Sequence, residues 1–488
     1  MRRLAGPCVL GLWAVGVGCG GGGSTPSGQG GAGAHAGAAG SATAGVGGSA
    51  SSASGGAASP GSGGATGSGG ATGPGSGGAT GAGGAGASAG RGGVATKRPW
   101  PDSTAKTLVL ADQLPGGLTA AQQMFVVTHM VGTQKLTLAQ SQPLRALQPN
   151  FLVLHYHLAI WQSAPSVTFI VDGANWGNDY PTVTTHESWF WHNQAGMRVA
   201  SNNDGKLLMN LGDSGFADYW AQSFIAQAVA GDYDGVFADS ASPALLQSEA
   251  QSPAEPRLAG TGARDTAIAE LGGKTYIQAW QTFMTGLDAA LAAQGLPLIP
   301  NTSAFSTGWD NTNYELTAGV FIEGFADPSF AVADWQHSTT QILDLAAKHK
   351  IVIVQNYLAS TGDVAKRLYY LANYLLVRGD KTYIDYFAGG PLEWYPEWGI
   401  DLGAPVKTGA TVADLAVGGA YEREFAKGWA AVNPGASSVT LTFPAGARLA
   451  TPQGGGAIDA AGDEPGTIAY TAVTSVTLPA HAAAIVLK

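Results

Sequence analysis

Two phrases of the sequence, DGVFADS at 234–240 and AGVFIEGFA at 318–326, run Gly-Val-Phe, one variable residue, then an acid, ending on Asp239 and Glu323. Residues two apart on a strand share a face, so Gly235, Phe237 and Asp239 point one way and Gly319, Phe321 and Glu323 do the same in their own strand. Two carboxyl groups brought face to face can cleave a glycosidic bond. One protonates the leaving oxygen, and the other attacks the anomeric carbon or activates water. An acid at a strand end can instead cap the next helix or pair with a buried cation. The Ser-Ala-Ser-Pro after Asp239 suits a cap, and the Gly-Phe after Glu323 suits one less well. The repeated phrase favours paired use.

Other polar and aromatic residues fall near the ends of apolar runs: His129, Tyr156, Asn210, Asp213, Asn301, Trp309, Gln355, Asn356, Tyr357, Asp385 and Tyr386. Aromatic faces can stack on sugar rings while amides and acids bind hydroxyls, so this set is the expected substrate-binding group. Each residue taken alone fits a core or capping place as well. Asp385, with Tyr383 and Phe387 on its face, is the rival catalytic acid. His155 and His157 share a face as two metal ligands would, but the later apolar runs around 296–301 and 319–323 supply no further histidine. No metal and no redox cofactor is expected. No G-x-S-x-G elbow for a serine nucleophile occurs.

Acids on two strands need a frame that turns both inward. Eight apolar runs can be counted: 125–130, 151–156, 206–211, 235–239, 296–301, 319–323, 351–356 and 382–387. Helical patterns at 216–230, 275–295, 339–350 and 363–379 lie between them. Runs apolar on both faces that alternate with helices imply parallel strands covered by helices. The expectation is an α/β fold, a (beta/alpha)8 TIM barrel over 96–406 with its chemistry at the carboxyl ends of the strands. An open doubly wound sheet ranks second, because no Gly-rich phosphate loop follows the first run. The aromatic-rich stretch between Trp161 and Asn203, including HESWFWHN, reads as a lid or wall over the barrel mouth. From 407 to 488 the pattern changes to alternating strands and turns, the mark of a small C-terminal antiparallel beta-sandwich. It has few exposed-looking aromatics, which favours packing over sugar binding.

The first 95 residues hold no core. Two arginines, an apolar run and small residues before Cys19 make an export signal over 1–19, too short to span a bilayer. Residues 20–95 are nearly all Gly, Ala, Ser and Thr, a tether whose reach as a coil is roughly 50 Å. Cys8 leaves with the signal, so the folded part contains no cysteine for disulfides, thiol catalysis or a thiolate zinc site. The net charge of -10, with no cluster of Lys and Arg, gives no footprint for nucleic acid.

Several segments together resemble a known family. FVVTHM, DYDGVFADS, VFIEGFA, IVIVQNY and YFAGG, followed by EREFAKGWAAVNPG and TLPAHAAAIVL, resemble glycoside-hydrolase-like family 15 over nearly everything after Thr96. The likeness extends more loosely to the endo-alpha-1,4-polygalactosaminidase family and the alpha-galactosidase superfamily. It implies a nucleophile at the end of strand four and an acid/base at the end of strand six, which fall on Asp239 and Glu323, and a retaining reaction. Close alpha-galactosidases have Asp at the second place, where this chain has Glu323. Gly16 to Cys19 resembles a bacterial lipobox, which implies lipidation of Cys19 and a place in the cell envelope; an ordinary secretory signal is the alternative. The expected function is therefore hydrolysis of an extracellular poly- or oligosaccharide, with membrane contact only through the lipid anchor. A non-catalytic carbohydrate-binding or scaffold lipoprotein is the alternative from another class.

Overall fold

The computed structural model describes residues 96–488 except 163, 165–169, 172–173, 176–178, 203–204, 244–245, 247–250, 253, 259, 304–309 and 391. The expectations for the signal segment, for Cys19, for the 20–95 tether and for Trp309 lie outside the described residues.

Eight parallel strands form the expected barrel. They are β1 (Val109–Gln113), β2 (Met130–Gln134), β3 (Leu152–Leu158), β4 (Val236–Asp239), β5 (Leu298–Pro300), β6 (Gly319–Glu323), β7 (Ile351–Tyr357) and β8 (Thr382–Phe387). Neighbours run β5-β4-β3-β2-β1-β8-β7-β6, and a parallel bridge from Asn301 to Phe321 closes the ring between β5 and β6. Six longer helices flank the barrel among the described residues: α1 (Ala120–His129), α2 (Leu138–Leu147), α3 (Ser214–Ala230), α4 (Tyr276–Ala292), α5 (Val332–Ala347) and α6 (Val364–Val377).

Two of the eight runs counted in the sequence are not barrel strands. The run at 125–130 is the end of α1, started by a capping box between Thr119 and Gln122 and burying Phe125 and Val126 on one side. Leu207–Leu208, inside 206–211, pairs antiparallel with Trp161–Gln162 and with Ala200 in the insertion after β3. The strands in their place, VLADQ and MVGTQ, are less apolar. Gly132 interrupts the second because a Cβ there would lie 2.5 Å from the Leu152 carbonyl oxygen, so only glycine lets β2 approach β3 so closely. Two wrong strands replaced two right ones, so the count holds and Asp239 and Glu323 do end the fourth and sixth strands.

The insertion after β3 is anchored beside the barrel mouth, where Lys206 Nζ donates to Ser240 Oγ at 3.2 Å. Its aromatics Trp189, Phe190 and Trp191 are buried and join the main hydrophobic core, so they offer no sugar-stacking surface.

The C-terminal segment has strands β9 (Ala416–Val417), β10 (Ala420–Phe425), β11 (Gly428–Asn433), β12 (Val439–Thr442), β13 (Arg448–Gln453), β14 (Thr467–Ala472), β15 (Ser475–Leu478) and β16 (Ala482–Leu487). Six make one sheet, ordered β9-β10-β11-β16-β13-β14, and β12 with β15 makes a second ladder. Alternation along the strands divides the side chains. Trp429, Ala431, Ala484 and Val486 join Leu441, Phe443 and Leu478 in a core of the sandwich's own. Ala430, Val432 and Ile485 point the other way, into the main core, where β11 and β16 pack on α6. Arg423 fastens this contact: its Nη1 donates to the carbonyls of Leu375, Leu376 and Arg378 at 3.1, 3.0 and 2.8 Å. Those carbonyls end α6 and have no partner within the helix.

Candidate active site

The floor of the site is aromatic. Phe237 and Phe321 point into the barrel and meet edge to face at 4.5 Å, one step below the two acids. A Cβ on Gly319 would lie 2.4 Å from the Ile351 carbonyl oxygen, so the glycine of the repeated phrase permits close packing of β6 on β7. Immediately after each acid the chain turns through the left-handed region, at Ser240 (φ 51°) and Gly324 (φ 76°). The glycine adopts this freely, whereas the serine holds a strained conformation beside Asp239.

One side chain ties the two acids together. Asn301, at the end of β5, donates from Nδ2 to Asp239 Oδ1 at 2.8 Å and to Glu323 Oε2 at 2.7 Å. Two bonds to one nitrogen hold those oxygens no more than about 5.5 Å apart, within the short class of glycosidase carboxyl spacings of ~5–5.5 Å. The second oxygen of each acid accepts a phenol. Tyr156 donates to Asp239 Oδ2 at 2.5 Å, and Tyr357 donates to Glu323 Oε1 at 2.6 Å. Tyr156 is buried, but Tyr357 is 49% exposed and stands at the rim.

Burial, and after it the charge of Asp239, raises the Glu323 carboxyl above its ordinary value, against the opposing bonds from Tyr357 and Asn301. Burial and the facing acids also hold the Tyr156 and Tyr357 phenols above their usual range, so both stay proton donors.

The remaining strands complete the ring. On β8, Asp385 Oδ2 accepts the Asp112 backbone N–H at 2.7 Å, across the seam to β1. Burial, with the Asp112 and Glu393 charges adding to it, pushes the Asp385 carboxyl up to about 8. Gln355 on β7 donates to the Tyr357 hydroxyl at 3.0 Å. Asp112 accepts from Gln134, and Lys135 Nζ reaches both of its oxygens at 3.0 and 3.1 Å. Every barrel strand, or the residue just beyond it, thus contributes a polar side chain to one ring. Asp112, Gln134 and Lys135 escaped sequence reading because β1 and β2 were misplaced. A usable signal was the T-x-x-Q box at Thr119, which marks a helix start and makes the run after it helical.

Of the expected substrate-binding residues, Tyr156, Asn301, Gln355, Tyr357 and Asp385 meet in this ring, and His129, Asn210, Asp213, Asn356 and Tyr386 do not. His129 ends α1, just before the amino end of β2 and so at the opposite end of the barrel, with its ring stacked on Phe125. Asn210 links Ser188 O to Gly212 N within the insertion, and Asp213 caps α3 through Gly215 N and Phe216 N. Asn356 and Tyr386 alternate to the outer face. Asn356 is buried there, with no bond to its amide among the described residues, and Tyr386 donates to Glu397. His155 and His157 also face outward, against Gln227 and Phe224 of α3, and burial lowers both to about 3. Among the described residues no cluster of three or more His, Cys, Asp or Glu stands placed to hold a metal ion.

A model of the hypothetical glycosyl hydrolase family 15 matches residues 145–429, from α2 to β11, and so spans both acids and Asn301. No curated protein matches the chain. Solved structures with a similar course include a cycloisomaltooligosaccharide glucanotransferase of Paenibacillus sp. (9% identity, 78% of this chain, TM-score 0.32), of whose length this chain spans 55%. A maltogenic alpha-amylase of Thermotoga neapolitana is 10% identical over 78% of this chain and 98% of its own, with a TM-score of 0.36. The trehalulose synthase of Pseudomonas mesoacidophila is 9% identical over 80% and 99%, with a TM-score of 0.39. Likenesses this distant carry no functional information.

Proposed function

The chain belongs to the hypothetical glycosyl hydrolase family 15, and from that premise we propose that it is a retaining glycoside hydrolase acting on an extracellular poly- or oligosaccharide. The observation that carries the reading is the single Asn301 amide bonded to both Asp239 and Glu323. Oxygens held no more than about 5.5 Å apart support the closer spacing of a retaining pair over the wider one that an inverting enzyme needs for its water. The order of the acids, strand four before strand six, is also that implied by the resemblance to the alpha-galactosidase superfamily.

In this reading Asp239 is the nucleophile. Both its oxygens accept hydrogen bonds, as do those of Glu323, and what sets the two acids apart is the upward shift of Glu323. Glu323, raised above its ordinary value by burial and by its neighbour's charge, is the acid. Glu323 gives its proton to the glycosidic oxygen as an Asp239 oxygen attacks the anomeric carbon. The leaving group departs as an alcohol, and an ester joins the sugar to Asp239. Glu323, now a carboxylate, takes a proton from water as that water attacks the same carbon. The ester breaks, configuration is retained, and Glu323 is protonated again. Tyr357, its hydroxyl free to rotate, donates to Glu323 in one state and accepts from it in the other.

The test is release of reducing ends from a glycan panel by the full chain and by Asp239→Asn and Glu323→Gln. Turnover of some glycan, lost on the order of 10^4-fold with Asp239→Asn, is the expected result. Glycan binding without turnover, indifferent to Asp239, would favour the scaffold reading instead. The proposal extends to the envelope: Cys19 carries the lipid, and 20–95 is the spacer. Cys19→Ala should appear in the soluble fraction; unchanged membrane association counts against the anchor.

A further inference from the structure

We infer that Tyr156, backed by the Lys135–Asp112 ion pair, is a positioning residue that holds Asp239 as the attacking carboxylate. The inference rests on the reading of Asp239 as the nucleophile. Tyr156 is paired in register with Phe237, two residues before Asp239, so its ring lies one layer below the acid and its phenol reaches up to Oδ2 at 2.5 Å. At 1% exposure the ring cannot serve as the sugar-stacking platform that its residue type suggests, because Asp239 stands between it and the mouth. What remains for the hydroxyl is to donate to that carboxylate.

The support under Tyr156 is unusual. Lys135 follows β2 in a left-handed conformation (φ 64°), uncommon for a residue with a side chain. A conformation of this kind persists where the surroundings over-determine it, and such residues gather at functional sites. Here the turn leaves Lys135 only 7% exposed, its ammonium bonded to both Asp112 oxygens and 5.0 Å from the centre of the Tyr156 ring. A cation over an aromatic face draws electron density from the ring and makes the phenol a better donor.

The other groups around Asp239 are accounted for. Asn301 bonds its other oxygen, Glu323 faces it across the amide, and Lys206 reaches the neighbouring Ser240. The phenol of Tyr357 feels its charge from β7, as Tyr156 feels those of Asp112 and Glu323. Among the described residues Tyr156 supplies the hydrogen bond to Oδ2.

The experiment needs no substrate. The full chain is prepared with carbon-13 in the aspartate side-chain carboxyls, the Asp239 resonance is assigned by its loss in Asp239→Asn, and its titration midpoint is followed by NMR. A hydrogen bond to a charged group favours that form, so Tyr156→Phe should raise the midpoint by about one to two pH units. Lys135→Met should raise it in the same sense by less, which provides a second variant if the first folds poorly. A merely structural tyrosine would lower the melting temperature and leave the midpoint where it was. An unmoved midpoint in folded Tyr156→Phe overturns the inference. If the midpoint moves but the wild-type chain hydrolyses no glycan, the proposed reaction fails while the coupling of Tyr156 to Asp239 stands.

Discussion

Replacing Asn301 with Ala removes its whole amide: the bonds of 2.8 and 2.7 Å to the two acids, and the 3.1 Å bond that its Oδ1 accepts from Ser303 N. A bond to a charged group contributes about 1.5–3 kcal/mol net. Two unit charges about 5.5 Å apart repel by about 3 kcal/mol at an effective dielectric near 20. The amide therefore offsets much of the cost of keeping the acids side by side, and its loss should make the pair hold protons more tightly. Both bonds to the acids favour the ionised form, so removing them raises proton affinity at both sites. The acid limb of kcat/KM, which follows ionisation of Asp239, and the alkaline limb, which follows loss of the Glu323 proton, should both move upward. The assay is kcat/KM against pH on whichever panel glycan the wild type cleaves. The rate should fall most on the acid side of the profile, about tenfold for each pH unit the limb moves, and recover as pH rises. Limbs that stay in place while the rate falls would refute the reasoning, since the amide would then matter only for shape.

Two more predictions concern stability. Asp385 is held up to about 8 in the folded chain, against about 3.9 for an exposed aspartate. Between those values the unfolded chain binds fewer protons, so this residue makes stability fall as pH rises from about 4 to about 8, by at most about 6 kcal/mol. Urea unfolding of Asp385→Asn should show a flatter pH dependence than the wild type; identical slopes would contradict the assignment. Arg423→Ala leaves the carbonyls of Leu375, Leu376 and Arg378 without this donor and should cost about 3 kcal/mol in the same assay. A cost below about 0.5 kcal/mol, the range of an ordinary surface substitution, would show that the end of α6 does not depend on the C-terminal sheet.

The repeated phrase was the most legible part of the site because its chemistry and its packing coincide. In Gly-Val-Phe-x-acid the glycine marks close approach of strands, the phenylalanine fills the barrel, and alternation carries the acid to the same face. The strands of the second half were legible as apolar runs, and α3 and α6 fall within two residues, and α4 within three, of their expected spans. The first two strands were not. VLADQ and MVGTQ carry Asp112, Gly132 and Gln134 inside the barrel, so the residues that serve the site break the apolar pattern that marks a strand. The apolar FVVTHM drew the assignment because valine favours strands, yet the Thr119 cap and one-sided burial make it a helix. Side-chain direction decided the rest. Asn356 and Tyr386 stand next to Gln355 and Asp385, and a period of two turns them to the opposite face. The link from Asn301 to both acids joins three strands and has no trace in local spacing.

The central claim is that Asp239 attacks a sugar while Glu323 protonates the leaving oxygen. Once the panel has named a substrate, the most direct measurement uses its 2-deoxy-2-fluoro glycoside with a good leaving group, which forms the ester faster than water removes it. The full chain is incubated with this compound, digested with pepsin and weighed peptide by peptide. The account predicts one added sugar on the peptide containing Asp239, none in Asp239→Asn, and retained configuration in the first product from the natural substrate. An adduct on another carboxyl, Asp385 included, or an inverted first product would contradict it.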